Sequence, residues 1–172
     1  FGVLATAFDE MGARVSRQMA TLNAMSDLAR RILTRLDLPE IVDVLLARLA
    51  QLAPEAVACV MYPDLAAEDL VQVHARDRGS NETRRSTSRV RDSLVQSPAQ
   101  VWEPVWPESS EEPDASLSAL GATHQLVCTH QGAGKGRTWI ALGYRDPTPP
   151  AVELSNEVSE LAGRIAVALA AK

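Results

Sequence analysis

The first 36 residues carry the most regular pattern of apolar positions in the chain. Apolar side chains recur there at alternating steps of four and three, with one polar position among ten. This spacing is the heptad seam of a coiled coil, so it predicts one long helix that pairs with a second helix. The seam positions are Leu4, Phe8, Met11, Val15, Gln18, Leu22, Met25, Ala29, Ile32 and Leu36.

The length of this predicted helix favours a partner helix from another chain. About 33 residues at 1.5 Å per residue give a helix about 50 Å long. That length exceeds the radius of a compact domain of this size, so most of the apolar stripe needs another surface. We therefore predict a parallel homodimer. The alternative is a helix that packs its stripe on its own domain.

The rest of the chain alternates between helical and strand patterns. Pro39 ends the first helix, and Asp37 with Glu40 forms a capping box for a second helix that ends near Pro54. Predicted strands cover 56–62, 70–75, 101–106, 124–129 and 137–144, and a last helix follows Pro150. A short helix is predicted within the polar segment 76–98, a helical turn at 117–121 and a glycine-rich hairpin at 132–136. The α+β fold class follows, with an antiparallel sheet and the two shorter helices on one face.

Composition narrows the classes of function. The 172 residues include 17 Lys and Arg against 22 Asp and Glu, for a net charge of -5, so a dedicated nucleic-acid binder is not expected. No apolar run approaches the roughly 18 residues of a membrane span, which predicts a soluble chain. Two cysteines make no disulfide framework and indicate a reducing compartment. Because the chain opens at Phe1 inside an amphipathic pattern, we expect it to be part of a longer protein.

Candidate chemistry centres on one strand. Cys128 and His130 share a strand face about 7 Å apart, a separation that suits two ligands of one metal ion. No paired-ligand spacing supports a metal, so we expect a buried Cys128, a solvent-exposed His130 and no metal or cofactor. A redox role for Cys128 is a further alternative, but Cys59 lies in an apolar strand and is a poor resolving thiol. No spacing suggests a catalytic triad or carboxylate pair, so we expect no enzyme activity.

Five residues are candidates for a small-molecule pocket: Trp102, His124, Cys128, Trp139 and Arg85. The two tryptophans could supply apolar walls, although core packing accounts for them better. Arg85 belongs to an arginine-rich segment suited to an anionic ligand, or to a solvated surface. That segment contains Arg76, Arg78, Arg84, Arg85, Arg89 and Arg91.

Three stretches of the sequence carry a family resemblance. Residues 32–41 read Ile-Leu-Thr-Arg-Leu-Asp-Leu-Pro-Glu-Ile, residues 118–127 read Ser-Ala-Leu-Gly-Ala-Thr-His-Gln-Leu-Val, and residues 139–144 read Trp-Ile-Ala-Leu-Gly-Tyr. With the order of predicted elements, these stretches resemble a GAF domain. Residues 4–11, Leu-Ala-Thr-Ala-Phe-Asp-Glu-Met, are similar to the closing helix of a HAMP domain, the membrane-proximal linker of bacterial receptors.

The resemblance implies a two-part organisation: residues 1–36 as the HAMP end and signalling coiled-coil helix, and residues 37–172 as a GAF-like sensory domain. It further implies a bacterial membrane-associated signalling protein in which the terminal helices of a homodimer, including Leu161 and Ile165 of the last helix, relay a conformational signal. The output domain would follow Lys172, with a histidine kinase favoured. The alternative is a GAF domain that binds a small molecule and regulates a diguanylate cyclase or another output.

Two ligand classes known for GAF domains do not fit these residues. The cyclic-nucleotide signature requires Asn-Lys, Phe and Asp-Glu around the last strand, where this chain reads Gly143-Tyr144-Arg145-Asp146. Covalent bilin attachment requires a cysteine in the insert, and no cysteine lies between Val60 and Val127. Neither a cyclic nucleotide nor a bilin is therefore expected.

Overall fold

The chain consists of two units, Phe1–Leu36 and Asp37–Lys172. The computed structural model describes residues 2–35, 37–89, 98–105, 117–131 and 137–170, and the side chains of residues 2–20 and 22 within the first helix. The first unit contains helix α1, Gly2–Arg35. The second contains α2, Leu38–Leu52, a six-stranded sheet and α3, Val152–Ala170. Within the described ranges, no helix has both the length and the apolar character needed to cross a bilayer.

The sheet is antiparallel throughout and has the order β3-β2-β1-β6-β5-β4. Its strands are β1 Val57–Pro63, β2 Leu70–Arg76, β3 Arg84–Arg89, β4 Gln100–Pro104, β5 His124–Gln131 and β6 Arg137–Tyr144. The first and last strands therefore lie side by side at the centre. The prediction of an antiparallel sheet with helices is confirmed.

Strand β3 is the one element of the sheet that the hydrophobic pattern did not predict. Its sequence, Arg-Arg-Ser-Thr-Ser-Arg, has no apolar residue, and among the described strands it pairs with β2 alone, at the edge of the sheet. Backbone pairing to a neighbour, rather than side-chain burial, holds such an edge strand. The short helix predicted around Val90 and Leu94, the hairpin at 132–136 and Trp106 lie outside the described residues.

Helices α2 and α3 pack on one face of the sheet, called the helix face below, and contact each other. The buried stripe of α2 is Ile41, Val42, Leu45, Leu46 and Leu49. At its start the backbone N–H of Asp37 donates to Glu40 Oε2 at 3.0 Å, which is the reciprocal half of the predicted capping box.

The packing of α3 corrects one expectation about the dimer. Leu161 and Ile165 are only 8% and 0% exposed within a single chain, because the α3 stripe packs on β5, β6 and α2. These two side chains therefore serve the core of their own domain and do not face a partner. A helical stripe of this period has the same sequence pattern whether it packs within a chain or between chains.

Helix α1 has the predicted length and presents its apolar stripe to solvent. Leu4, Phe8, Met11, Val15 and Leu22 are each at least half exposed. A single chain thus leaves this part of the predicted seam uncovered. The remaining seam side chains, Met25, Ala29, Ile32 and Leu36, lie outside the described residues.

Candidate functional site

The side of the sheet opposite the helices, called the far face below, is apolar and partly covered by a turn. Because side chains alternate between the faces of a strand, every second residue of β1, β2, β5 and β6 lies there. Leu117, Leu120 and Ala122 of the turn pack against these strand residues in one buried cluster. The strand members are Val57, Cys59, Met61, Val71, Val73, Ala75, Val127, Trp139 and Ala141.

Gly143 allows the turn to approach the sheet closely. A Cβ atom at this position would lie 2.7 Å from Ala122 Cβ, which is shorter than any ordinary carbon contact. The turn is fixed there by two backbone hydrogen bonds, from Ala122 N–H to Leu117 O at 3.0 Å and from Thr123 N–H to Tyr144 O at 2.8 Å. The predicted helical turn thus forms a tight turn that ends at Gly121, whose φ is +82°.

One row of residues crosses the far face from strand to strand. The strand register places Ser86, Val73, Met61, Trp139 and Thr129 beside one another in that order. At about 4.8 Å per strand, the two ends of the row are about 19 Å apart. Ser86 Oγ and Thr129 Oγ1 are buried, and neither has a hydrogen-bond partner among the residues that the structure describes. The row therefore has an apolar middle, and at each end a buried hydroxyl for which the described residues supply no partner.

A buried amide adds a further polar group to the far face. Gln125 is buried, and its Nε2 donates to Glu103 Oε1 at 3.3 Å across the pairing of β4 with β5. Val101 and Val105 pack beside the same cluster. An apolar surface with a few placed polar groups is the usual lining of a small-molecule site, so the far face is the candidate site.

The five predicted ligand residues do not come together. Trp139 alone lies on the far face, whereas Trp102, His124 and Cys128 share the helix face. There the rings of Trp102 and His124 stack with centroids 5.7 Å apart and an interplanar angle of 18°. The prediction of a pocket lined jointly by these residues is therefore wrong, because register places the two tryptophans on opposite sides of the sheet.

Arg85 is also remote from the other four. It lies on β3, at the opposite edge of the sheet from Trp102, about 24 Å away across five strand spacings. Its guanidinium pairs with Asp43 Oδ2 of α2 at 3.0 Å. Sequence reasoning missed Ser86, Gln125 and Thr129. Alternation along β5 could have placed Gln125 and Thr129 on the same face of the sheet. Ser86 lies in β3, which the hydrophobic pattern did not predict.

Both cysteine thiols are buried, and burial disfavours the thiolate, which is the reactive form of the side chain. Burial raises the pKa of Cys59 to about 12 and also raises the pKa of Cys128, whose Sγ lies 3.9 Å from the Ser155 carbonyl oxygen. His130 is exposed at the strand end, as the sequence predicts. In the part of the chain that is described, no group of three or more His, Cys, Asp and Glu residues is arranged to hold a metal ion.

A buried histidine lies on the helix face near α2. His74 Nε2 and Tyr62 Oη are 2.9 Å apart, and the rings are tilted with centroids 5.4 Å apart. Burial lowers the pKa of His74, and the positive charge of Arg85 lowers it further, while Asp43 opposes the shift. Burial likewise raises the pKa of Tyr62. The pair therefore stays neutral and holds β1 to β2 beneath the helix.

Comparisons with known proteins identify the fold. No family model matches the sequence, and no curated protein matches it. The GAF domain of a two-component sensor histidine kinase from Bacillus halodurans is similar in structure, with a TM-score of 0.57 and 15% identity over 78% of this chain and 95% of that chain. Residues 122 to 287 of a methyl-accepting chemotaxis protein match with a TM-score of 0.55 and 15% identity over 86% of this chain and 96% of that chain. At such identities the likeness establishes the fold.

Proposed function

We propose that this chain, which has the fold of GAF domains, is a cytoplasmic sensory and dimerisation module of a bacterial signal-transduction receptor. The full-length protein would be anchored in the membrane, with a HAMP-type linker before the GAF-like domain. The terminal helices would relay a conformational signal from that linker to an output domain, for which we favour a histidine kinase. The single observation that carries the proposal is a GAF fold joined to a 34-residue helix with an exposed apolar stripe. Two of the similar structures come from a sensor histidine kinase and a chemotaxis protein, which supports a signalling role.

The apolar stripe of α1 supports a homodimer. In a single chain, Phe8 and Leu22 keep 67% and 65% of their surface in water. Full burial of a leucine side chain contributes about 1.5–3 kcal/mol. Pairing the stripe with its own copy buries all the seam positions together, and a parallel pair leaves both α2 helices at the same end of the seam. Gln18 would then form a polar layer that sets the register.

The connection between α1 and the sheet supports a relay. Helix α1 ends at Arg35 and α2 begins at Leu38, so little chain separates them. Helix α2 packs on β1 and β2 and contacts α3, which leads towards the C-terminus. In this proposal a rotation or shift of paired α1 helices acts on α2 through the chain that joins them, and α2 passes the change to α3, which it contacts. In α3 the exposed apolar side chains that could meet a partner are Val152 and Val167, at 70% and 53% exposure, rather than Leu161 or Ile165.

Sedimentation equilibrium tests the dimer. The variant Leu22→Asp places a charge in the seam of each chain, while Ala20→Asp adds the same charge two residues away, on the side opposite the seam. We expect a dimer for the unaltered chain and for Ala20→Asp. Losing two buried leucines should weaken association of Leu22→Asp by at least about 100-fold.

A monomeric unaltered chain, or a Leu22→Asp dimer as tight as that of Ala20→Asp, would remove the dimer and the relay built on it. The output is tested separately by the coding sequence that follows residue 172. A histidine-kinase region there supports the favoured output, and a cyclase region supports the alternative.

The second candidate function is a small-molecule-binding GAF domain that regulates a diguanylate cyclase or another output. The buried hydroxyls of Ser86 and Thr129 on the far face favour it, since buried polar groups normally have hydrogen-bond partners. Native mass spectrometry of the purified chain should then show a bound small mass that Thr129→Val reduces. Thr138→Val, which alters a buried threonine of the helix face, is the matched control. An unliganded mass together with a more stable Thr129→Val variant would contradict this function.

A further inference from the structure

A small cavity lies beside the C-terminal end of α2 and the turn that follows β2. Its volume is about 140 Å³. Ala58 and Arg76, which face each other in the register of β1 with β2, belong to its wall and lie on the helix face. The cavity is therefore separate from the far-face row. Its complete lining is Ala50, Pro54, Ala56, Ala58, Arg76, Asp77, Gly79, Ser80 and Asn81.

The buried guanidinium of Arg76 is the unusual group of this cavity. Arg76 is only 9% exposed, and one of its terminal N–H groups donates to Thr83 Oγ1 at 3.2 Å. Its Nε is buried and has no acceptor among the residues described, and no described carboxylate lies within 4.0 Å of the guanidinium. Burying a cation without a counter-charge is costly. A wall that contains such a group is therefore suited to an anion.

The rest of the lining indicates the kind of anion. Asp77 also lines the cavity, where its Oδ1 accepts the N–H of Arg78 at 2.7 Å, and its charge disfavours a ligand with more than one negative charge. The four alanine and proline residues supply an apolar wall, while Ser80 and Asn81 supply polar groups at the turn. A volume well below the roughly 300–1,000 Å³ of drug-sized sites limits the ligand to a few atoms.

We propose that this cavity binds a short-chain monocarboxylate. The carboxylate supplies the counter-charge that the Arg76 guanidinium lacks among the described residues, and the short tail lies against the alanine and proline wall. Because Ala50 belongs to α2 and Ser80 to the turn after β2, the ligand adds contacts between these two elements. This site is independent of the dimer and of the far face.

The test is a titration of the unaltered chain with sodium propionate, followed by ¹H–¹⁵N NMR of the Arg76 Nε–H and the backbone amides of residues 77–81. Sodium chloride at the same ionic strength is the reference. For a ligand of about five non-hydrogen atoms we expect saturable shifts with a dissociation constant on the order of 1 mM.

Three variants locate the site. Ala50→Leu fills the cavity and leaves Arg76 in place, and Arg76→Gln removes the charge. Each should weaken propionate binding at least tenfold. Arg89→Gln, at an exposed position of β3, should bind as the unaltered chain does. If Arg76→Gln does not fold, Ala50→Leu decides the question.

Several results would overturn the proposal. The first is chemical-shift changes that do not saturate, or that sodium chloride reproduces. The second is a folded Ala50→Leu variant that binds propionate as tightly as the unaltered chain does. The third is tighter binding of inorganic phosphate than of propionate. The last result would assign the cavity to oxyanions in general, against the carboxylate class.

Discussion

Replacing Gly143 with alanine should destabilise the second unit. The new methyl group would clash with the turn at residues 117–122, which backbone hydrogen bonds hold in place. The added Cβ would lie 2.7 Å from Ala122 Cβ and 3.2 Å from Leu117 Cδ2, whereas carbon pairs prefer 3.5–4.0 Å. The turn is held by the hydrogen bond within it and by the bond from Thr123 N–H to Tyr144 O, on the residue next to Gly143. Relief of the clash therefore requires a shift of backbone rather than of a flexible side chain.

The size of the effect follows from two opposing contributions. Overpacking of a core costs about 1–3 kcal/mol. Replacing a glycine inside a strand by alanine recovers about 0.5–1 kcal/mol of backbone entropy. A Cβ contact as short as 2.7 Å, which no flexible side chain can relieve, places the overpacking cost at about 2–3 kcal/mol, so the net loss is about 1–2.5 kcal/mol. For a domain of about 150 residues, each kcal/mol lowers Tm by roughly 2–4 °C, so Tm should fall by about 2–10 °C.

Gly163→Ala is the matched control, since the same change in α3 should have the opposite sign. Its new Cβ would meet only the His130 imidazole at 3.4 Å, an ordinary contact with an exposed side chain. Alanine inside a helix is favoured over glycine by about 0.8–1 kcal/mol. Urea unfolding followed by circular dichroism, at one protein concentration for all variants, compares the three proteins. A Gly143→Ala variant as stable as the unaltered chain would refute the argument that the turn is fixed against the sheet.

Three further predictions concern buried and paired groups. Because burial holds the pKa of His74 below 6.5, the unfolded chain binds more protons as pH falls below that value. Stability is therefore full above pH 6.5 and decreases at lower pH, and His74→Gln should flatten this slope in urea unfolding measured at several pH values. The buried Cys59 and Cys128 should not react with a thiol reagent in the native protein at pH 8, but both should react after denaturation, and a fast native thiol would contradict the packing. Arg85→Ala should lower the free energy of unfolding by no more than about 1 kcal/mol, because the side chains of Arg85 and Asp43 are 53% and 38% exposed. A larger loss would contradict the interpretation of this pair as a surface salt bridge.

Local pattern in the sequence determined most of the elements. The heptad spacing predicted the length of α1, and the Asp37–Glu40 box marked the start of α2, since both depend only on residues a few positions apart. Apolar runs and turn residues predicted five of the six strands. The strand β3 escaped because an edge strand of arginines, serines and threonine has no hydrophobic period, and its pairing with β2 is a tertiary property.

Only the tertiary structure decided which residues meet. Trp102 and Trp139 are both strand tryptophans, and the register of β4, β5 and β6 places them on opposite faces, because side-chain direction reverses with each single-residue step. The same register brings Ser86 and Thr129, 43 positions apart in sequence, into one row on the far face. The stripe of α3 was visible in the sequence, but burial of Leu161 and Ile165 within one chain was not. An amphipathic pattern indicates that one face of a helix is buried. Which surface buries that face depends on the tertiary structure.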